Sequence, residues 1–386
     1  MKRGLTGQYR FSLVGGEKVK AFIPKPLPPH PHIRMDGTFQ RRLEAAQLAL
    51  GRLDSISLLI PDPYIFLYSY IRREAVLSSQ IEGTQSSLSD LMLFELKGEP
   101  SVPIDDVVEV SNYVAAMEHG IKRMKEGFPL CKRLLREMHQ KLLSRGRGSQ
   151  ASPGEFRHSQ NWIGGTRPGN AHFVPPPPGE VEDCMSDLEK FIHDEHTPYP
   201  ALIKAALIHV QFETIHPFLD GNGRIGRLLI SFILHNDKIL SEPLLYLSLY
   251  FKQHREEYYR LLDSVRNDGD WETWLDFFLY GVEQTARNAV ETAKRLHILF
   301  TDDAKKVESL GRLTNSALRI FECLRERPFV TYNEIKKRTG LTLPTITKGM
   351  SGLMGLGIAK ELSGKQRNQI FCYDRYLSIL NEEMEM

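Results

Sequence analysis

The run from His216 to Arg227, His-Pro-Phe-Leu-Asp-Gly-Asn-Gly-Arg-Ile-Gly-Arg, crowds a base, a carboxylate, a glycine-flanked turn and two arginines into one short stretch. Such a set suits the phosphates of a nucleotide together with a hydroxyl that must lose its proton. His216 has an ordinary pKa near neutrality, so it can act as general base. Asp220 suits a hard cation such as magnesium, which commonly takes one protein carboxylate and shares the substrate's phosphates. Arg224 and Arg227 are spaced i, i+3, project from neighbouring positions on one helical face, and can fork onto phosphate oxygens. Phe218 reads as a wedge into the core.

These groups need an element to aim them. The apolar stretch Leu228 to Leu234 predicts a buried helix that begins near Asn222. Gly221, Asn222 and Gly223 then lie at its N-terminus, where unpaired N–H groups and the helix dipole favour an anion such as diphosphate.

The same residues match at every specified position the HxFx(D/E)GNGRxxR motif of the Fic family, which the chain therefore resembles. The resemblance implies a helical Fic core that transfers AMP from ATP to a Ser, Thr or Tyr hydroxyl of a target protein, and to itself, with release of pyrophosphate. It also implies roles. His216 is the catalytic base, Asp220 holds Mg2+, the backbone of Gly221 to Gly223 with Asn222 forms the anion hole, Arg224 meets the inner phosphates and Arg227 the γ-phosphate. Positioning and charge stabilisation carry most of such a reaction.

Far upstream, Ser78-Ser79-Gln80-Ile81-Glu82-Gly83 fits the family's (S/T)xxxE(G/N) inhibitory motif. Ser78 and Glu82 are one helical turn apart, and Gly83 stands where a helix often stops. The resemblance implies that Glu82 pairs with Arg227, displaces the γ-phosphate and makes the enzyme autoinhibited. On spacing alone, the same residues describe an ordinary helix C-terminus.

Between the two motifs, residues 153–178 hold two short β-prone runs around a Gly/Pro turn, a hairpin pattern. The resemblance makes this hairpin a flap that holds the target segment as an added strand, with Phe173 and Val174 as contact points. A surface hairpin followed by a polyproline spacer fits the residues equally well. His158 and His172 read as loop residues. Downstream, the resemblance places Tyr258 and Tyr259 near the nucleotide base. Adjacent residues cannot share one helical face, so one tyrosine lines the pocket and the other packs in the core.

With 386 residues and 41% hydrophobic content, the chain can bury one large core and a smaller one. It has no apolar run of membrane-spanning length, and its start lacks the apolar stretch of a signal peptide, so a cytoplasmic protein with no membrane partner is expected. Cys131, Cys184, Cys323 and Cys372 are scattered, without zinc spacing or a disulfide framework.

The fold expected is mostly α. Pro24 to Pro31 punctuate an extended arm over 1–37. Helical periodicity recurs near 38–58, 61–81, 104–126, 132–145, 181–194, 199–213, 222–238, 252–267 and 270–300, a mostly helical domain; the resemblance makes 38–300 the Fic domain, with the inhibitory helix at about 61–83. The last region differs. Arg312 to Arg375 carries 12 Lys/Arg against 5 Asp/Glu, a net of +7, whereas the whole chain is at +2. Its pattern of helices 315–325, 332–338 and 343–356, followed by two β-prone runs, resembles a winged helix-turn-helix domain over 312–376. Thr342, Thr345, Thr347 and Lys348 would face a major groove, and Lys365 and Arg367 the phosphates. A docking or dimerisation role for this basic face, including a homodimer, stands beside DNA binding.

Three functions follow from these readings. The first is an autoinhibited protein AMP transferase. The second is a DNA-binding regulator with a nucleotide-binding core. The third is an enzyme of the same fold that moves another nucleotidyl group or removes AMP by using Glu82 to activate water.

Overall fold

The computed structural model describes the chain apart from residues 60–62, 97–102, 365–368 and 386. Strands β1 (Gly7–Val14) and β2 (Glu17–Pro24) pair antiparallel from Gly7–Pro24 to Val14–Glu17. An extended arm was expected over this stretch. The Gly15-Gly16 pair, both at positive φ, instead closes a two-residue hairpin loop whose twist suits the strands.

Helices follow: α1 (Gly37–Leu59), α2 (Pro63–Ile81), α3 (Leu88–Glu95), α4 (Ile104–Lys125), α5 (Lys132–Leu142), α6 (Pro178–Ile192), α7 (Ala201–Ile215), α8 (Asn222–Asn236), α9 (Ser248–Gln253), α10 (Arg255–Asp268) and α11 (Trp271–Glu308). The short α3 escaped the periodicity analysis. It is started by a capping box in which Ser87 and Asp90 satisfy each other's backbone N–H groups. The stretch expected as one helix over 252–267 is two, because His254 interrupts α9 and α10.

Helix α7 is the centre of the core. Every residue from Leu202 to Ile215 is buried, as befits a helix apolar on nearly all sides. Helices α8 and α6 pack on it, while α2 lies between α4 and α9. The run from His216 to Arg227 thus begins where this buried helix ends.

The flap region forms a single antiparallel bridge, Ile163 to Phe173, with a 3-10 turn over Pro168–Asn170. A longer ladder cannot form there. Gly164 and Gly165 turn left-handed immediately after Ile163, and Pro175 to Pro178 have no N–H to donate.

The last region contains α12 (Thr314–Glu326), β3 (Phe329–Thr331), α13 (Tyr332–Thr339), α14 (Leu343–Gly355), β4 (Lys360–Glu361), β5 (Ile370–Cys372) and α15 (Asp374–Glu385), with the strands in the antiparallel order β3-β5-β4. Lys365 and Arg367 lie outside the described residues. Helix α15, unforeseen in the sequence, docks on α11: Tyr376 stands edge-on to Phe300 at 5.1 Å and the Tyr373 hydroxyl donates to Asp303 at 2.6 Å. The Tyr376 hydroxyl also meets Ser69 of α2 at 2.6 Å, which joins this region to the helix that precedes Glu82. Among the described residues no helix is long and apolar enough to cross a membrane.

Candidate active site

His216 ends α7 in a left-handed conformation, φ 50° and ψ 60°, an uncommon geometry for a non-glycine residue. Arg157, fully buried at the base of the flap, holds it there. The Arg157 guanidinium donates to the carbonyls of His216 at 2.9 Å, Ile215 at 3.3 Å and Pro176 at 2.6 Å, and its own N–H donates to Pro217 O. Asn222 closes the loop from the other side: its side chain accepts from Phe218 N–H and donates to Phe218 O, both at 2.8 Å. The Asn222 side chain therefore shapes the loop, and only its backbone is left for an anion hole. No side chain caps the first turn of α8, so its leading N–H groups stay available.

Phe218 is a wedge, as its sequence context suggests. It stacks on His139 at 3.8 Å between ring centres. His139 in turn accepts from Gly154 N–H at 2.9 Å through Nδ1 and donates to Asp220 O at 3.0 Å through Nε2. Burial pushes its pKa down to about 4, which suits a neutral ring with one donor and one acceptor.

The two arginines of α8 each meet a carboxylate from an earlier helix. Arg227 donates through Nη2 to Glu82 Oε1 at 2.7 Å and to Ser78 O at 3.0 Å, and through Nε to Ser78 Oγ at 2.8 Å. Burial raises the Glu82 pKa, but the Arg227 charge outweighs it and holds the carboxyl below its usual range. Gly223 makes the approach possible, since a Cβ there would stand 2.4 Å from Glu82 Oε1. Arg224 donates to Glu109 Oε1 at 2.6 Å, with Asp220 Oδ1 at 3.5 Å.

Asp220 Oδ1 accepts from Gly221 N–H at 2.6 Å, whereas no hydrogen bond reaches Oδ2 among the described residues. A half-exposed carboxylate with one free oxygen fits a cation that draws its other ligands from phosphate and water. No group of three or more His, Cys, Asp or Glu side chains gathers elsewhere to hold a metal among the described residues.

The imidazole of His216 is kept neutral. Burial first, then the charges of Arg157 and Arg266, push its pKa down to about 3. Glu213, one turn earlier, lies with Oε2 3.9 Å from His216 Nδ1, and burial raises its own pKa to about 7. A neutral imidazole is free to accept a proton, though a pKa so far below neutrality makes it a weak base, with its Nδ1 buried and unpartnered among the described residues.

One expectation is corrected, and the split expected between Tyr258 and Tyr259 is resolved. Phe173 and Val174 do not stand open as contact points: β2 covers them, Phe22 N–H donates to Val174 O at 2.9 Å, and Val174 packs with Val19 and Ala21. Phe173 also lies under the guanidinium of Arg266, 4.1 Å from the ring centre. Tyr258 is 1% exposed and its hydroxyl pairs with His209 Nε2 at 2.9 Å, so it belongs to the core. Tyr259, 38% exposed, is the tyrosine of the pair that faces outward. Sequence reasoning did not single out Arg157, His139, Glu109 or Glu213. For His139 the one available signal was a polar residue on the apolar face of Leu135, Met138 and Leu142; Arg157, among mostly polar neighbours, carried none.

Two family models match the chain, Fic/DOC family N-terminal over residues 40–122 and Fic/DOC family over residues 129–234. The chain is similar to a protein adenylyltransferase Fic of Drosophila yakuba, 31% identical over 47% of this chain and 34% of that protein. A protein of the same name from Culex quinquefasciatus is 32% identical over 53% of this chain and 39% of its own length. The matches thus span little more than a third of these curated relatives. Among solved structures, a Fic family protein from Desulfovibrio desulfuricans G20 shares the fold at a TM-score of 0.56 and 21% identity, over 91% of this chain and 98% of its own. Fic-1 of C. elegans does so at 0.52 and 22%, over 67% of this chain and 73% of its own.

Proposed function

We propose that this chain, which belongs to the Fic/DOC family through residues 40–122 and 129–234, transfers AMP from ATP to a hydroxyl of a protein target and is restrained by Glu82. The observation that carries the reading is the 2.7 Å contact between Glu82 and Arg227, in a site whose base is neutral and whose helix N-terminus is uncapped. In the reaction, His216 takes the proton of the target hydroxyl as its oxygen attacks the α-phosphorus. The bond from that phosphorus to the bridging oxygen breaks, and pyrophosphate leaves with the electron pair. Arg224 and the first turn of α8 stabilise the charge that develops on the phosphates. Magnesium, held by Asp220, would supply further neutralisation there. While Glu82 occupies Arg227, the γ-phosphate has no clamp, and ATP cannot settle in the in-line pose.

The same proposal includes self-modification and a cytoplasmic setting, the latter supported by four unpaired thiols. A second reading, in which the last region binds DNA, is favoured by exposed Lys336 and Lys337 on α13 and Thr347 and Lys348 on α14. A gel shift with random-sequence DNA, lost in the Lys336→Glu, Lys348→Glu variant, would support it.

Label from the α-phosphate of ATP, followed with magnesium into wild type, Glu82→Gly and the Glu82→Gly, His216→Ala double variant, tests the main reading. Incorporation should appear mainly in Glu82→Gly and vanish in the double variant. Label absent from all three, with ATP still bound, would overturn AMP transfer.

A further inference from the structure

We infer that Arg147 is a third arginine of the anion site, held beside Arg224 by the shared carboxylate of Glu109 and directed at the diphosphate that departs during transfer. The inference rests on reading the chain as an AMP transferase. Glu109 lies in the middle of α4, and its two oxygens are divided between two cations. Oε1 accepts from Arg224 Nη1 at 2.6 Å, while Oε2 accepts from Arg147 Nε at 3.0 Å and Nη2 at 2.8 Å. Two guanidiniums thus share one carboxylate, and Arg224 Nη2 also stands 3.5 Å from Asp220 Oδ1. The inner pair is sealed, with Arg224 4% and Glu109 3% exposed, whereas the Arg147 side chain is 56% exposed. The buried half fixes the geometry, and the open half faces the solvent from which a ligand arrives.

The backbone brings Arg147 to the catalytic loop as well. Asn112 Nδ2 donates to Arg145 O at 2.8 Å, which pins the turn between α5 and the flap. Gly148, at φ +80°, presses so closely on Asp220 that a Cβ would stand 2.4 Å from Oδ2. Arg147 therefore sits one residue from contact with the carboxylate that suits magnesium. Finally, Arg224 Nε is buried without a hydrogen-bond partner among the described residues. Buried guanidinium N–H groups rarely go unpaired, and a phosphate oxygen would complete it. A diphosphate has the charge and the length to engage both forks and a cation on Asp220 at once.

The test compares Glu82→Gly with the same protein carrying Arg147→Ala or Arg147→Lys. Calorimetry measures binding of inorganic pyrophosphate with magnesium, and labelled ATP measures transfer. Arg147→Ala should weaken pyrophosphate by about tenfold, the scale of one charge-assisted fork, and lower kcat/KM for ATP in proportion. Its melting temperature should stay near the parent's, because the side chain is mostly exposed. Lysine should restore only part of the affinity, since a point charge does not span two oxygens. Unchanged pyrophosphate affinity in Arg147→Ala overturns the inference. If the Glu82→Gly parent transfers no AMP yet binds pyrophosphate in an Arg147-dependent way, the transferase reading falls and the third arginine stands.

Discussion

Glu82 and Glu109 engage arginines one turn apart on α8, but from opposite settings. Glu82 directly follows the last residue of α2, is 34% exposed, and is followed by Gly83 at φ 103°. Glu109 stands in the middle of α4, is 3% exposed, and holds two arginines rather than one. A carboxylate at a helix end has a path to water, and Arg227, itself only 2% exposed, keeps Ser78 O and Ser78 Oγ when that carboxylate swings out. One in mid-helix cannot leave without stranding buried charge. The same ion-pair chemistry thus sits at a helix end in one place and in mid-helix in the other, and the proposed restraint belongs to the first.

The widest gap between them should be in stability. Glu109→Ala is expected to cost about 3–5 kcal/mol of unfolding free energy, the usual penalty for removing one partner of a buried pair. Glu82→Ala should cost less, because Arg227, 2% exposed, keeps Ser78 O and Ser78 Oγ as partners. Urea titrations that give equal losses would erase the distinction. In activity the two should move in opposite directions. Glu82→Gly should raise AMP transfer by roughly tenfold or more, through the γ-phosphate contact restored to Arg227, while Glu109→Gln should lower it. Label incorporation that rises in both would break the contrast.

A double-mutant cycle sharpens the pairing. Arg227→Ala and Glu82→Gly should be non-additive by about 0.5–3 kcal/mol in transition-state terms, whereas Arg227→Ala and Glu109→Gln should couple more weakly. Ser78→Ala removes the bond to Arg227 Nε and should loosen the restraint by about 1 kcal/mol, a severalfold gain in transfer that stays below that of Glu82→Gly.

The smallest effect is a slope. Glu74, buried on the same face of α2 two turns before Glu82, accepts from Ser248 Oγ at 2.5 Å and Tyr113 Oη at 3.1 Å, and burial raises its pKa from 4.5 to about 7. The folded chain then holds more protons than the unfolded one between those values. This group's contribution falls as pH rises from about 4.5 to about 7 and is level above that. His216, His139 and His209, with lowered values, act in the opposite direction as pH drops below 6.5. Glu74→Gln compared with wild type should therefore remove a downward component of the stability curve across pH 4.5–7. Parallel curves would mean that Glu74 stays ionised in the fold.

What could be read from the sequence was local. His216 to Arg227 announce a loop and a helix start within one stretch, and the structure assembles them as a left-handed histidine, an uncapped first turn and two inward arginines. Ser78 and Glu82 are one helical turn apart, and both meet Arg227, though only the fold could bring them there across 145 positions. Glu109 carried a faint signal: it lies in register with Tyr113 and Ala116 on a buried face of α4, where a carboxylate needs a partner. Which partner was not legible, because Arg224 is 115 positions away. The misjudged pair, Phe173 and Val174, shows the same limit. Strand propensity tells that a run is extended but not what lies over it, and here the cover is β2.

The hairpin that supplies this cover has a consequence for how the molecule is made. Arg3 reaches Glu272 with two bonds at 2.6 and 2.7 Å, 269 positions away, and Lys25 O accepts from Gln211 across 186. During synthesis these early residues leave the ribosome long before α10 and the start of α11 exist, so they must wait unpaired while the central helices assemble. The Arg3 contacts are then among the last to form, whereas the hairpin needs only residues up to Gln211 to close over Val174.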